Sequence, residues 1–161
     1  MGFFWTIVII LGGTWLIWGF YKEFGPEPVE KRIKRYEEDA DMFFSSLQVD
    51  YKVVYGLDEL DERVLAMKGW YIRLREKYKH KEEKTLQTSE DWAHYLENQN
   101  SLASNIFQRG EADDDREAQK LFDEDIRENQ FKIEEIENRF AYLLGEGYEK
   151  KLENIRAKEN K

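Results

Sequence analysis

The chain of 161 residues has no cysteine, two prolines and two histidines. With no thiol and only His80 and His94, the zinc sites usually built from Cys and His cannot be assembled within one chain. No disulfide can form, so cysteine usage fits either redox compartment. Phosphate-cradling GxxxxGK[ST] and GxGxxG loops and the GxSxG nucleophile elbow are also missing, which removes the common sequence signatures of nucleotide handling and serine hydrolysis. A concentrated basic stripe is lacking too. The net charge of −9 argues against nucleic acid as a partner, because that polyanion demands a positive surface.

Long apolar runs occur once. Residues Gly2 to Tyr21, GFFWTIVIILGGTWLIWGFY, contain no Asp, Glu, Lys, Arg or His, and every charged side chain follows from Lys22 onward. About 20 apolar residues rising ~1.5 Å each reach roughly 30 Å, the thickness of a bilayer's hydrocarbon core. A cleaved signal peptide would need a basic n-region and a small-residue cleavage site; Gly25-Pro26-Glu27-Pro28 is no such site. The segment is therefore expected to be a retained transmembrane helix over 1–22, followed by a hinge over 23–28. Phe3, Phe4 and Trp5 at one end and Trp15, Trp18, Phe20 and Tyr21 at the other suit the headgroup region. Gly12 and Gly13 offer a flat place for close helix approach, so Gly12, Gly13, Trp15 and Trp18 are candidates for contact with a partner helix.

Lys and Arg near a span set its direction. Lys22, Lys31, Arg32, Lys34 and Arg35 all follow it and none precedes it, which predicts the N-terminus outside and the C-terminal domain in the cytoplasm, anchored in the inner membrane by one pass. Lys31, Arg32, Lys34 and Arg35 are candidate contacts for lipid headgroups.

Beyond the hinge the apolar pattern has helical period. Val29, Ile33, Tyr36, Ala40, Phe43, Leu47, Tyr51 and Val54 recur at three or four, predicting a helix over about 28–55. Gly56 and Asp58 suit a C-terminal stop and a new N-cap, so a tight hairpin leads to a second arm with Leu57, Leu60, Val64, Met67, Tyr71, Leu74 and Tyr78. The polar run 79–87 reads as a loop, with Thr88 or Ser89 capping a third helix that closes at Gly110. A fourth helix starts in Asp113-Asp114-Asp115 and stops at Gly145, its seam being Phe122, Ile126, Ile133, Ile136, Phe140 and Leu143 with polar Asn129 in register. A basic amphipathic tail over 146–161 carries Tyr148, Leu152 and Ile155. The expected fold is all-α: the N-terminal membrane helix, then an up-down antiparallel bundle of about four amphipathic helices over 29–145 and a short C-terminal helix.

Charge along this path alternates. Connections expected away from the bilayer are acidic, with Asp58, Glu59, Asp61 and Glu62 at one and Glu111 to Glu117 at the other. Those expected near it are basic: Lys31 to Arg35, then Arg73 to Lys84, then Lys150, Lys151, Arg156 and Lys158. Anionic lipid favours each nearby Lys or Arg by about 1 kcal/mol, so the bundle is expected to stand upright on membrane lipid.

Residues with the right elements for chemistry do not assemble in sequence. Asp91 and His94 stand i, i+3 like one arm of a di-iron bundle, without the second arm. Asp113, Asp115, Glu117 and Glu124 match calcium-loop positions, but Ala118 stands where the sharp turn needs Gly. No catalytic residue, metal ligand or cofactor is expected. Off-seam aromatics, among them Phe44, Trp70, Phe131 and Tyr142, are candidate interface anchors instead.

The layout of the first 40 or so residues, with the span followed by Gly25-Pro26-Glu27-Pro28-Val29-Glu30-Lys31-Arg32, resembles the membrane-anchored b-type subunit of rotary ATP synthase stalks. The remainder departs from that pattern: stalk subunits continue as one Ala-rich helix, whereas this chain is interrupted at Gly56, Gly110 and Gly145 and is rich in aromatics. The reading that best accommodates these features is a non-enzymatic accessory, assembly or scaffolding subunit of a multi-subunit membrane complex. Alternatives are a self-associating coiled-coil tether, which would make a homo-oligomer, and a ligand-sensing bundle.

Overall fold

The computed structural model describes residues 27–57, 60–112 and 115–159. The expected span over 1–22, with Gly12, Gly13, Trp15 and Trp18, lies outside them. No helix among the described residues is long and apolar enough to cross a membrane.

Among the described residues five helices form an all-α bundle: α1 (Val29–Val54), α2 (Glu62–Tyr78), α3 (Glu82–Glu111), α4 (Arg116–Leu144) and α5 (Tyr148–Glu159). Pro28 precedes α1, where its missing N–H is no loss, and its carbonyl accepts from Lys31 and Arg32. The helix runs to Val54 with Tyr55 as its C-cap, and Gly56, with a φ of 65°, lets the Leu57 N–H turn back to the Tyr51 carbonyl at 3.2 Å.

Two boundaries differ from expectation. α2 opens at Asp61, whose carboxylate accepts from the Arg63 N–H at 2.7 Å, so Leu57 lies before the helix and is exposed rather than on its seam. α3 opens at Glu82, taking in most of the expected loop. Thr85 donates to the Tyr78 carbonyl and Thr88 to the Lys84 carbonyl, both at 2.7 Å; hydroxyls satisfied by backbone can be buried in a helix. Thr88, so satisfied, and Ser89, which is buried without a backbone partner for its hydroxyl, are interior residues of α3, not caps. Gln99, a polar residue on the inner face of α3, is buried there because its amide donates to the Tyr95 hydroxyl. The helix also passes Gly110, which has no positive φ. α4 stops as expected at Gly145.

Side-chain contacts give the directions. Tyr36 donates to Glu90 and Asn100 donates to the Phe43 carbonyl, so α1 and α3 run parallel. Glu37 meets Arg75 and Phe44 meets Lys68, so α2 runs against α1. Asp91 meets Arg139 and Arg109 meets Asp123, so α4 runs against α3. The chain therefore alternates in direction, but the tight α1–α2 hairpin is corrected: α1 packs its backbone most closely on α3, and α2 lies against α3 and α4.

The core joins Leu47 of α1, Met67 and Leu74 of α2, Leu96 of α3 and Ile133 and Phe140 of α4. Within it Tyr71, Trp92 and Tyr95 form a stacked ladder with centroids 5.3 and 5.6 Å apart. The expected tail is part of this core. Leu152 is 2% exposed, and Tyr148 stands edge-on to Trp70 at 5.3 Å. Truncating Leu152 to Ala should lower the unfolding free energy by about 2–5 kcal/mol, read from urea denaturation; an unchanged midpoint would mean that α5 is a loose appendage.

Candidate interaction surfaces

The most constrained polar group is Glu137, 0% exposed, on the seam of α4 between Ile136 and Phe140. Arg63, in the first turn of α2, grips both of its oxygens, with Nη2 2.7 Å from Oε2. Arg156, near the end of α5, donates to the same Oε2 from Nη2 at 2.7 Å and from Nε at 3.2 Å. From α3 the Tyr95 hydroxyl lies 3.4 Å from Oε1 and in turn accepts from Gln99. Four helices thus converge on one carboxylate. Two guanidiniums saturating a carboxylate fix the geometry of the helices that carry them. A cavity of about 470 Å³ adjoins the knot, with Tyr51, Tyr55 and Leu102 in its wall.

A second buried acid, Asp91, accepts from Arg139 and from Gln87 at 3.1 Å. Burial raises its carboxyl above the usual range against the pull of Arg139. This arrangement ties α3 to α4. His94 is exposed and stands edge-on to Tyr36, so Asp91 and His94 serve different contacts. Asp115, the described member of the calcium-like run's opening, caps α4, accepting from Glu117 and Ala118 at 3.0 and 3.1 Å. Among the described residues no three His, Cys, Asp or Glu side chains come together as a metal site.

No protein family, characterised protein or solved structure matches this chain. What it can contact must be read from its surfaces.

Where α1 and α3 begin and α2 and α4 end, basic side chains gather. Lys31 and Arg35 both reach Glu27, and Lys34 pairs with Glu38 at 3.4 Å. Such exposed pairs are worth only about 0–1 kcal/mol and can be exchanged for another anion. Lys77 and Lys84 flank the Tyr78 ring at 5.6 and 5.2 Å. Arg156 and Lys158, however, do not belong to this end. α5 runs from Tyr148, beside Arg73, to Lys158, beside Glu62, which carries both cations to the opposite, acidic end.

The four aromatic candidates separate. Trp70 is 7% exposed beneath Tyr148, so α5 removes it from the surface. Phe44 is half-buried with the Lys68 ammonium 3.9 Å from its ring centroid. Phe131 and Tyr142 remain open, at 67% and 74% exposure, and their spacing of three turns puts them on one outer face of α4.

Sequence reasoning missed the Glu137 knot and the Asp91–Arg139 pair. The signal was present for the first: Glu137 falls in register with Ile133 and Phe140, where an acid has no place unless it is paired.

Burial, and then the neighbouring Glu137 carboxylate, raise the Tyr95 phenol well above its ordinary value. A raised folded-state value stabilises the fold fully below the unfolded value of about 10 and loses that contribution as pH rises beyond it. Urea midpoints should therefore fall as pH climbs past about 10, and Tyr95→Phe should flatten part of that fall; an identical slope in the variant would contradict the coupling.

Proposed function

We propose that this protein is a non-catalytic, single-pass accessory or scaffolding subunit of a multi-subunit membrane complex. In this reading residues 1–22 form the span, docked on partner transmembrane helices through Gly12, Gly13, Trp15 and Trp18, and the bundle lies on the cytoplasmic face. The observation that carries it is the charge polarity of the bundle. The end that directly follows the uncharged segment presents Arg32, Lys77, Lys81 and Lys84 alongside Glu82 and Glu83, while the other presents Asp61, Glu111 and Glu117, its Lys158 paired with Glu62 and its Arg156 with Glu137. A negatively charged leaflet attracts the first end and repels the second. The bundle then stands upright, with Lys31, Arg32, Lys34 and Arg35 at the headgroups and the outer face of α4, with Phe131 and Tyr142, turned to a neighbouring subunit.

One observation favours a self-associating tether instead. Met42, Val49 and Val53 are exposed on α1 at spacings of seven and four, the seam of a coiled coil.

Purification of the full chain from membranes in mild detergent, with identification of co-purifying chains, separates the two. Foreign subunits in fixed stoichiometry, lost on Phe131→Ser/Tyr142→Ser, are expected; a pure homo-oligomer lost on Val49→Ser/Val53→Ser would establish the tether.

A further inference from the structure

Between α1 and α4 runs an open groove floored by α3. The two outer helices both pack on α3 and make no close backbone approach to each other among the described residues, leaving a space of about 660 Å³. Its walls are acidic: Asp50 from α1, Asp125 and Glu128 from α4. Lys132 is the basic side chain in the lining, and Glu128 already holds it at 2.6 Å. Neither Asp50 nor Asp125 has an ion-pair partner among the described residues, and burial raises the Asp50 carboxyl above its usual range. The floor is made of short polar side chains, Asn100, Ser101 and Ser104. Asn100 donates to the Phe43 and Leu96 carbonyls at 2.9 Å, while its amide oxygen has no donor.

These features specify an occupant. Short side chains on the floor admit a backbone at close range, and flanking helices leave room for one more element alongside α3. Two of the three carboxylates, Asp50 and Asp125, have no counter-charge among the described residues, and Lys132 answers only Glu128, so the walls call for further cations. We propose that the groove receives a Lys- or Arg-bearing amphipathic helix of a partner chain, its small-residue face on Ser101 and Ser104 and its cations against Asp50, Asp125 and Glu128. This deepens the accessory-subunit reading and rests on it for the existence of a partner. The groove itself is independent of how the protein meets the membrane.

The absence of native cysteine makes a direct test possible. Ser104→Cys, labelled with an environment-sensitive fluorophore in the full-length protein in non-ionic detergent, reports the groove; Tyr142→Cys, outside the groove lining and near the C-terminal end of α4, serves as the reference position. The probe is a synthetic helical peptide with Lys on one face and Ala and Ser on the other, alongside a Glu-for-Lys counterpart. A saturable change at residue 104 and none at 142 is expected with the Lys peptide alone. It should weaken at least about tenfold in Asp125→Lys/Glu128→Lys, with the far-ultraviolet circular dichroism unchanged. No response, an equal response at 142, equal binding of the Glu peptide, or binding indifferent to the double substitution would overturn the proposal. So would an equivalent signal from spermidine, which would mark a small-polycation site, or from unlabelled protein, which would mark self-association. Failure here with foreign subunits still co-purifying would reject the groove and leave the accessory reading standing.

Discussion

The bundle depends on a carboxylate that has been taken entirely out of water. Arg63 and Arg156 meet Glu137 there with directed hydrogen bonds, and a buried charge with a missing partner is far more costly than the pair is favourable. That requirement links elements that have little independent hold. α2 has 17 residues and α5 has 12, near or below the length at which isolated helices are marginal in water. Each contributes one arginine to the knot and a few apolar side chains to the core. The carboxylate lies on α4 and the supporting hydroxyl on α3, so the two longest helices provide the frame and the two shortest are fastened to it.

Fastening α5 in this way has consequences for the surface. Tyr148 and Leu152 cover Trp70 and the flank of α2, and Arg156 and Lys158 are delivered to the acidic end. α1 is held by packing on α3, by the Tyr36–Glu90 and Asn100–Phe43 hydrogen bonds and by the Glu37–Arg75 pair with α2. Because α1 and α4 sit on opposite flanks of α3, one side of that long helix is left between two acidic walls. The groove is thus a result of the same packing order that makes α3 the centre of the bundle.

Much of this was legible along the chain. Periodic apolar residues located α1 and α4 to within a residue or so of their ends, since Gly56 and Gly145 carry the positive φ that a helix stop requires. The start of α3 was not legible, because polarity over 79–87 looks like a loop until one sees Thr85 and Thr88 bonded to carbonyls. Nor was the packing order: periodicity says which face of a helix is apolar and nothing of which neighbour it meets, and α1 meets α3 rather than its sequence neighbour. Trp70 reads as a surface anchor from its place off the seam, because its cover comes from a segment about eighty positions away. Glu137 was readable as an acid on an apolar seam, but its arginines, 74 and 19 residues distant, carry no local pattern.

The central claim is that Glu137 is tolerated only as a paired charge that fastens α2 and α5. Urea denaturation of Glu137→Leu and of the triple variant Glu137→Leu/Arg63→Met/Arg156→Met tests it most directly. The single substitution strands two guanidiniums and should cost about 3–5 kcal/mol, most of which the triple variant should recover. A single variant as stable as the parent, or a triple variant no better than the single, would contradict it.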